Sequence, residues 1–367
     1  MARISIVVPF HSNKAYLLAC LSALRAELAE DEEIIVVQNN QNADELVRLE
    51  HDERIKSLYF SDDLGFSKAC NIGVSAASGD HICICDADTI SLTPRWTDLL
   101  LAELGKSPDL GATASLLIEP HTNRVQDFGI GWSGHTHFHP CYRASLDDPR
   151  LTSPRVCQMA CSAQMMIRRD VFERVGGFDV GLKYYYQDVD FCLRLKALGL
   201  KTAVVPQAKA FHRGHSAAVN KSAFQIDERG YYYSKNKHLL VSDIAPHVRE
   251  SVELLATRVA AFAPLYLRAE LSTIYCTDEI LEALSPKIRS RLHVVRHLAD
   301  RDPHRINLFE ILGREFTNLP QPILFLVDSV ESVRHNALWF SLRSNRNDLV
   351  VDRHGNACTM ADLGALT

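Results

Sequence analysis

The chain has 367 residues, 47% hydrophobic and 23% charged, with 40 Lys and Arg against 45 Asp and Glu for a net charge of −5. Such a composition belongs to a globular protein long enough for two domains and a sizeable core. The mild negative balance excludes a nucleic-acid groove as the main partner surface, since neutralising phosphates needs clustered Lys and Arg.

Ile4 to Phe10 reads as a strand and Tyr16 to Leu28 as a helix with apolar residues at three- and four-residue spacing. A strand over Glu33 to Gln38, a helix from near Asp44, a strand over Ile55 to Phe60, a helix over Phe66 to Ala77 and a strand over His81 to Cys85 follow. Strand alternating with helix predicts an α/β fold with a mostly parallel, doubly wound sheet and ligands in the crevice beyond the carboxyl ends of its strands. Pro9 to Asn13, Gln38 to Asn42, Asp62 to Lys68 and Asp86 to Asp88 fall at those ends. Trp96 to Leu104 is helical, 112–154 is irregular, and Ser162 to Arg168 reads as a strand. A short helix from Arg169 closes at Gly176-Gly177, a helix runs from Gln187 to Leu198, and Thr202 to Pro206 is strand-like.

Past residue 245 the pattern turns to helices, notably Val248 to Leu271, then to strand-helix alternation with strands near Pro322 to Val330 and Asp348 to Val351. A first domain over 1–245 and a C-terminal accessory module over 246–367, mainly helical or α/β, are therefore expected. The apolar run at the N-terminus is too short for a leader. The apolar stretch Leu254 to Leu271 is broken by Arg258 and Arg268, so no membrane span is expected. With ten scattered cysteines, among them Cys83, Cys85 and Cys192 inside apolar runs, this indicates a cytoplasmic protein, with peripheral membrane attachment and homo-oligomer formation through the C-terminal module left open.

The densest chemistry is His81-Ile82-Cys83-Ile84-Cys85-Asp86-Ala87-Asp88, a strand delivering two carboxylates to its end. Carboxylates are hard ligands for Mg²⁺ or Mn²⁺, which bridge readily to nucleotide phosphates; an Asx turn is the plainer alternative. A second acidic pair, Asp188 and Asp190, opens the Gln187 helix. Residues two apart on a helix point about 200° apart, so the two acids have separate tasks. Asp190, four residues before Arg194, has ion-pair spacing, which leaves Asp188 as a general base or an N-cap. His212, at the end of a strand, could be a packed histidine or the nitrogen ligand of a Mn²⁺-type site, with His215 a weaker candidate.

Six segments together resemble one family. They are Ile6 to Asn13; Gly65 to Gly73; Asp86-Ala87-Asp88; Ile167 to Arg169 with Val175 to Asp179; Gln187 to Arg194; and His212 to Ser216. In this order they resemble the family 2 inverting nucleotide-sugar glycosyltransferases of GT-A fold, especially the bacterial rhamnosyltransferase-like group. The resemblance implies a divalent-metal-dependent enzyme moving a sugar from a nucleotide-sugar donor to a glycan or lipid-linked acceptor of surface polysaccharide. It implies that Asp86, Asp88 and His212 hold Mn²⁺ or Mg²⁺ and that Pro9, His11, Gln38, Asn39 and Asn71 line the nucleotide. It also makes Asp188 the base that deprotonates the acceptor hydroxyl. Two positions depart from the family pattern: Gln187 stands where an acid usually precedes the base, and Gln38-Asn39 where an Asp usually meets the nucleobase. The neutral Gln187 leaves open a glycan-binding relative without turnover; hydrolysis of the donor is a third reading.

Trp132, Tyr186 and Gln187 are the expected acceptor contacts, with Tyr142, Tyr184 and Tyr185 able to stack in the same way. Gly129 to Gly134 spells G-x-G-x-x-G, but no helix follows to supply a phosphate cradle. His135, His137 and His139 could share a strand face, though not at the spacing of common zinc sites.

Overall fold

The computed structural model describes residues 3–40, 45–49, 52–132, 137–214 and 222–243. Beyond these it describes 246–247, 249–250, 254, 265–268, 286, 292–295, 323–327, 349–352, 354 and 356–359. The helix expected from near Asp44, His135 and His215 lie outside the described residues, at least in part. In chain order the elements begin β1 (Ile4–Phe10), α1 (Lys14–Glu27), β2 (Glu32–Asn39), β3 (Ile55–Phe60), α2 (Gly65–Ala76), β4 (His81–Cys85), β5 (Thr89–Ser91) and α3 (Trp96–Leu104). Next come β6 (Leu110–Glu119), β7 (Arg124–Asp127), β8 (Gly131–Trp132), β9 (His137–Phe138), β10 (Arg155–Cys157), β11 (Gln164–Arg168), α4 (Arg169–Val175) and α5 (Gln187–Ala197). Last are β12 (Lys201–His212), α6 (Ser222–Asn236), β13 (Leu265–Arg268), β14 (Leu292–Val295), β15 (Ile323–Val327), β16 (Leu349–Asp352) and β17 (Ala357–Thr359).

Two compact units result, Met1–Ile130 with Arg143–Leu240, and Gly131–Tyr142 with Val241–Thr367. In the first, the sheet order is β10-β12-β6-β11-β4-β1-β2-β3, with β5 on β12 and β7 on β6. Strands β4, β1, β2 and β3 run parallel, as do β6 and β12, while β11 is antiparallel to both of its neighbours. Every residue of β1 is buried, the signature of a parallel strand covered on both faces. Gly73 lets α2 lie close on that strand, because a β-carbon there would sit 2.3 Å from Val7 Cγ1. Between helices and sheet, Ile6, Val8, Leu17, Leu21, Val36, Cys83, Trp96 and Leu100 form one apolar cluster.

Two stretches differ from the sequence expectation. The irregular region holds the ten-residue β6, buried in all but its last residue. Its Gly-Ala-Thr-Ala-Ser run shows no alternation because both faces are covered. A β-carbon at Gly111 would meet Leu195 of α5 at 2.8 Å, which explains a small residue there. The strand-like Thr202 to Pro206 is the first half of the twelve-residue β12, whose pairing with β6 shifts register between Val205 and Lys209. Pro206 lies in that irregularity, where its missing N–H costs no ladder bond.

In the second unit, β14-β13-β15-β16-β17 form a sheet that is parallel except for β17, and β8 pairs with β9 as a short hairpin. The hairpin segment was expected in the first domain. Long-range bonds explain its place: the Trp132 N–H donates to Asp243 Oδ1 (2.8 Å) and the Asp243 N–H returns to the Trp132 carbonyl (2.9 Å). The Cys141 N–H donates to the carbonyl of His354 at 2.5 Å. The helix expected over Val248 to Leu271 is corrected at its end, where Leu265–Arg268 is a strand. A short apolar run suits either state, and pairing on both sides by β14 and β15 decides it.

Candidate active site

Strand β4 ends at Cys85, and the turn through Asp86 to Asp88 is closed by the Thr89 N–H donating to the Asp86 carbonyl (3.0 Å). Strand β5 then pairs antiparallel with the end of β12, setting His212 opposite Thr89. This register, invisible to local pattern, delivers the imidazole to the carboxylates. His212 Nε2 lies 3.4 Å from Asp86 Oδ2 and 3.6 Å from Asp88 Oδ1, and the three side chains offer ligand atoms within 4.8 Å of one another. Asp86 Oδ1 is buried without a hydrogen-bond partner, so its carboxylate is not spent on a turn. On its other edge, His212 Nδ1 is 2.8 Å from Gln126 Oε1 of β7. Burial pushes the imidazole pKa down, but contact with Asp86 and the charges of Asp88 and Asp127 outweigh it and leave the pKa raised. The orphaned oxygen and the donor set of two carboxylates and one imidazole fit a divalent cation.

Asp188 stands in the first turn of α5 and feels the charges of Asp86 and Asp127, which places these acids around one site. Burial raises its pKa to about 6; those charges add to the rise, and N–H groups of Val189 and Ser162 oppose it. It does not cap the helix, because the N-cap position belongs to Tyr186, in left-handed conformation with φ 63°. Asp190 points away into the core, fully buried, and accepts from Arg194 Nε (2.8 Å), Lys235 Nζ (2.9 Å) and Asn236 Nδ2 (2.8 Å). Its spacing to Arg194 was readable as an ion pair; its partners on α6 were not. The buried Glu228 of α6 accepts the N–H groups of Tyr184 (3.0 Å) and Tyr185 (2.7 Å) and so holds the approach to Asp188.

At the ends of β1 to β3, Pro9 is buried in β1, and His11 donates from Nδ1 to the Asn39 carbonyl at 2.8 Å. Asn39 donates to the Phe10 carbonyl (2.8 Å) and keeps a buried Oδ1 without a partner, as does Ser12 Oγ. Gln38 and Asn71, both expected to line the nucleotide, use their side-chain amides within the protein. Gln38, fully buried, donates to the Val47 carbonyl (2.8 Å) and Ser57 Oγ (2.9 Å) and accepts the Val47 N–H (2.8 Å). Asn71 clamps the Phe178 backbone, donating to its carbonyl (2.8 Å) and accepting its N–H (2.9 Å). That clamp shapes the Gly177 turn, where φ is 69° and a β-carbon would lie 2.7 Å from Asn71 Oδ1.

Asp63, beyond β3, accepts from the Tyr184 hydroxyl, from Lys183 Nζ (2.9 Å) and from the Gly65 N–H (3.0 Å), with His11 Nδ1 3.6 Å away. Burial pushes its pKa up, but these donors prevail and hold it below the usual carboxylate range. Of the expected acceptor contacts, Tyr186 stacks on Tyr232 with ring centroids 4.8 Å apart, and Gln187 keeps a buried, unpartnered Oε1 near Asp188 in sequence. Trp132 belongs to the second unit, buried against its own hairpin beside His137. Gln126, Asp127, Asp63 and Glu228 were missed by sequence reasoning. Asp63 lay inside the segment singled out at the end of β3, while the other three carry no local signal.

Residues 5–176 match the family model "Glycosyl transferase family 2". This stretch is a glycosyl transferase family 2 domain. Apart from Gly131–Tyr142 it belongs to the first unit, whose α/β order of mostly parallel strands with an antiparallel insertion is the GT-A fold the resemblance implied. The chain is similar to the O-antigen biosynthesis protein RfbC of Myxococcus xanthus, 29% identical over 63% of this chain and 19% of that protein. It is also similar to the rhamnosyltransferase WbbL of Escherichia coli K12, 31% identical over 26% of this chain and 36% of that one. The chain thus spans only 19% and 36% of these curated relatives. Among solved structures it resembles GalNAc-T7 with UDP, GalNAc and Mn²⁺, with 16% identity, a TM-score of 0.46, and coverage of 65% of this chain and 51% of that one.

Proposed function

We propose that this protein is an inverting, divalent-metal-dependent glycosyltransferase. In this reading it moves a sugar from a nucleotide-sugar donor to a glycan or lipid-linked acceptor in bacterial surface polysaccharide synthesis. The observation that carries the reading is the Asp86–Asp88–His212 donor set at the end of β4, with the half-buried base Asp188 within electrostatic reach of Asp86. The family 2 domain and the relatives RfbC and WbbL support the reaction class and the polysaccharide setting.

Asp86, Asp88 and His212 would hold Mn²⁺, which suits a mixed carboxylate and imidazole set better than Mg²⁺ does. When bound, the cation neutralises charge on the departing nucleoside diphosphate. Asp188 takes the acceptor hydroxyl proton as the oxygen attacks the anomeric carbon, and one displacement inverts its configuration. A pKa of about 6 keeps this carboxylate ionised at neutral pH while making it a stronger base than an exposed Asp. Asp190, Arg194 and Glu228 hold α5 and its approach in place. The unpartnered acceptors Ser12 Oγ, Asn39 Oδ1, Asp86 Oδ1 and Gln187 Oε1 are the groups available to substrate and cation.

Among the described residues no helix is long and apolar enough to cross a membrane. The unpaired thiols Cys20, Cys70, Cys83, Cys85 and Cys192 suit a reducing, cytoplasmic setting, with the acceptor lipid met at the membrane surface. The test is incubation of the full chain with UDP-, GDP-, dTDP- and CMP-sugars and Mn²⁺. One donor class should be consumed, and Asp188→Asn should stop it. Consumption of none, despite nucleotide binding, would favour a binding protein without turnover.

A further inference from the structure

Resting on the metal reading above, we propose that Gln126 is the positioning residue that sets the tautomer of His212 and thereby makes the site ready for its cation. A neutral imidazole carries one N–H. It can bind a cation through Nε2 only when that hydrogen sits on Nδ1. His212 presents Nε2 to Asp86 and Asp88 and Nδ1 to Gln126 Oε1 at 2.8 Å. A carboxamide oxygen only accepts, so Nδ1 carries a hydrogen in this contact, and a neutral ring that keeps it has its Nε2 lone pair free for a cation.

Left alone, the ring would choose otherwise. With two carboxylates in front of it, Nε2 gains most by carrying the hydrogen and donating to them, which blocks the ligand position. Gln126 supplies the opposing preference from the far edge. Gly214, at φ 63°, lies against this pair: a β-carbon there would sit 3.3 Å from Gln126 Nε2 and 3.7 Å from His212 Cε1.

Gln126 and Asp127 are neighbours on β7 with separate tasks. Asp127 Oδ2 accepts the N–H groups of Cys161 (3.3 Å) and Gly129 (3.4 Å).

The test is Mn²⁺ binding to the full chain, followed by calorimetry and by the paramagnetic signal of unbound Mn²⁺, with no donor or acceptor present. Outer partners of metal-bound histidines typically contribute 10–100-fold in affinity. Gln126→Leu keeps the volume and removes the acceptor, so it should weaken Mn²⁺ binding by about that factor. Gln126→Glu restores an acceptor oxygen opposite Nδ1 and should recover most of the affinity. Ring nitrogen shifts of His212 in the cation-free protein, recorded at a pH high enough to leave the ring neutral, should show the hydrogen on Nδ1 in the parent and on Nε2 in Gln126→Leu. Unchanged unfolding midpoints confirm that the variants are folded. Binding in Gln126→Leu equal to the parent, or an unchanged tautomer, overturns the inference. If the parent binds no Mn²⁺, or Asp88→Asn binds it equally well, the metal reading itself has failed.

Discussion

Replacing Asp188 with Asn should abolish transfer and at the same time stabilise the protein. The carboxyl has an ordinary value of 3.8 and is raised to about 6, first by burial and then by Asp127 and Asp86. That rise corresponds to roughly 3 kcal/mol against the ionised form at 1.36 kcal/mol per tenfold, and partial solvent access trims it to about 2. Because the folded-state value lies above the unfolded one, the penalty is absent below pH 3.8, grows between the two values and is complete above pH 6. Asn keeps an oxygen to accept the Val189 N–H, now 2.8 Å from Asp188 Oδ1, so little else changes. Urea unfolding in EDTA at pH 8 should show Asp188→Asn more stable by about 2 kcal/mol, with the gain nearly gone at pH 4. A gain that does not depend on pH, or a loss of stability at pH 8, would refute the assignment of Asp188 as a half-buried, charge-crowded base.

In contrast, Asp190→Ala should cost about 3 kcal/mol, since it takes the buried carboxylate from Arg194, Lys235 and Asn236, although Lys235 keeps Asp179 and Arg194 keeps the Val175 and Gly177 carbonyls; chemical denaturation measures it. The pH profile of kcat/KM should fall tenfold per unit below an inflection at about pH 6 or lower, because Asp188 must be ionised and a bound cation offsets the charge of Asp86. Gly73→Ala should lower stability by about 1–3 kcal/mol, read as a lower Tm, because its β-carbon would press on Val7 Cγ1 and Val37 Cγ2.

What the sequence made legible was local. The alternation that predicted β1, β3, β4 and α3 is written in contiguous residues, and those strands and that helix appear over Ile4–Phe10, Ile55–Phe60, His81–Cys85 and Trp96–Leu104. Asp86 and Asp88 stood out because a strand runs straight into them, and Asp190 was separable from Asp188 by helical geometry alone. Long-range pairing was not legible. Gln126 and Asp127 reach the site because β7 folds back on β6, which lies beside β12, and Glu228 because α6 returns to the turn before α5. Gln38 and Asn71 illustrate the converse. Their positions were right for a ligand, but their amides were already needed by Val47 and Phe178 backbone groups, a demand no local pattern announces.

The central claim is that one site unites a cation-held leaving group with a separate proton acceptor. Calorimetric titration of the matching nucleoside diphosphate with Mn²⁺, run beside donor turnover on the parent, Asp88→Asn and Asp188→Asn, addresses it directly. The account predicts that Asp88→Asn loses Mn²⁺-dependent binding, whereas Asp188→Asn binds as the parent does and turns nothing over. Mn²⁺-dependent binding by Asp88→Asn at parental strength, or turnover by Asp188→Asn, would contradict it.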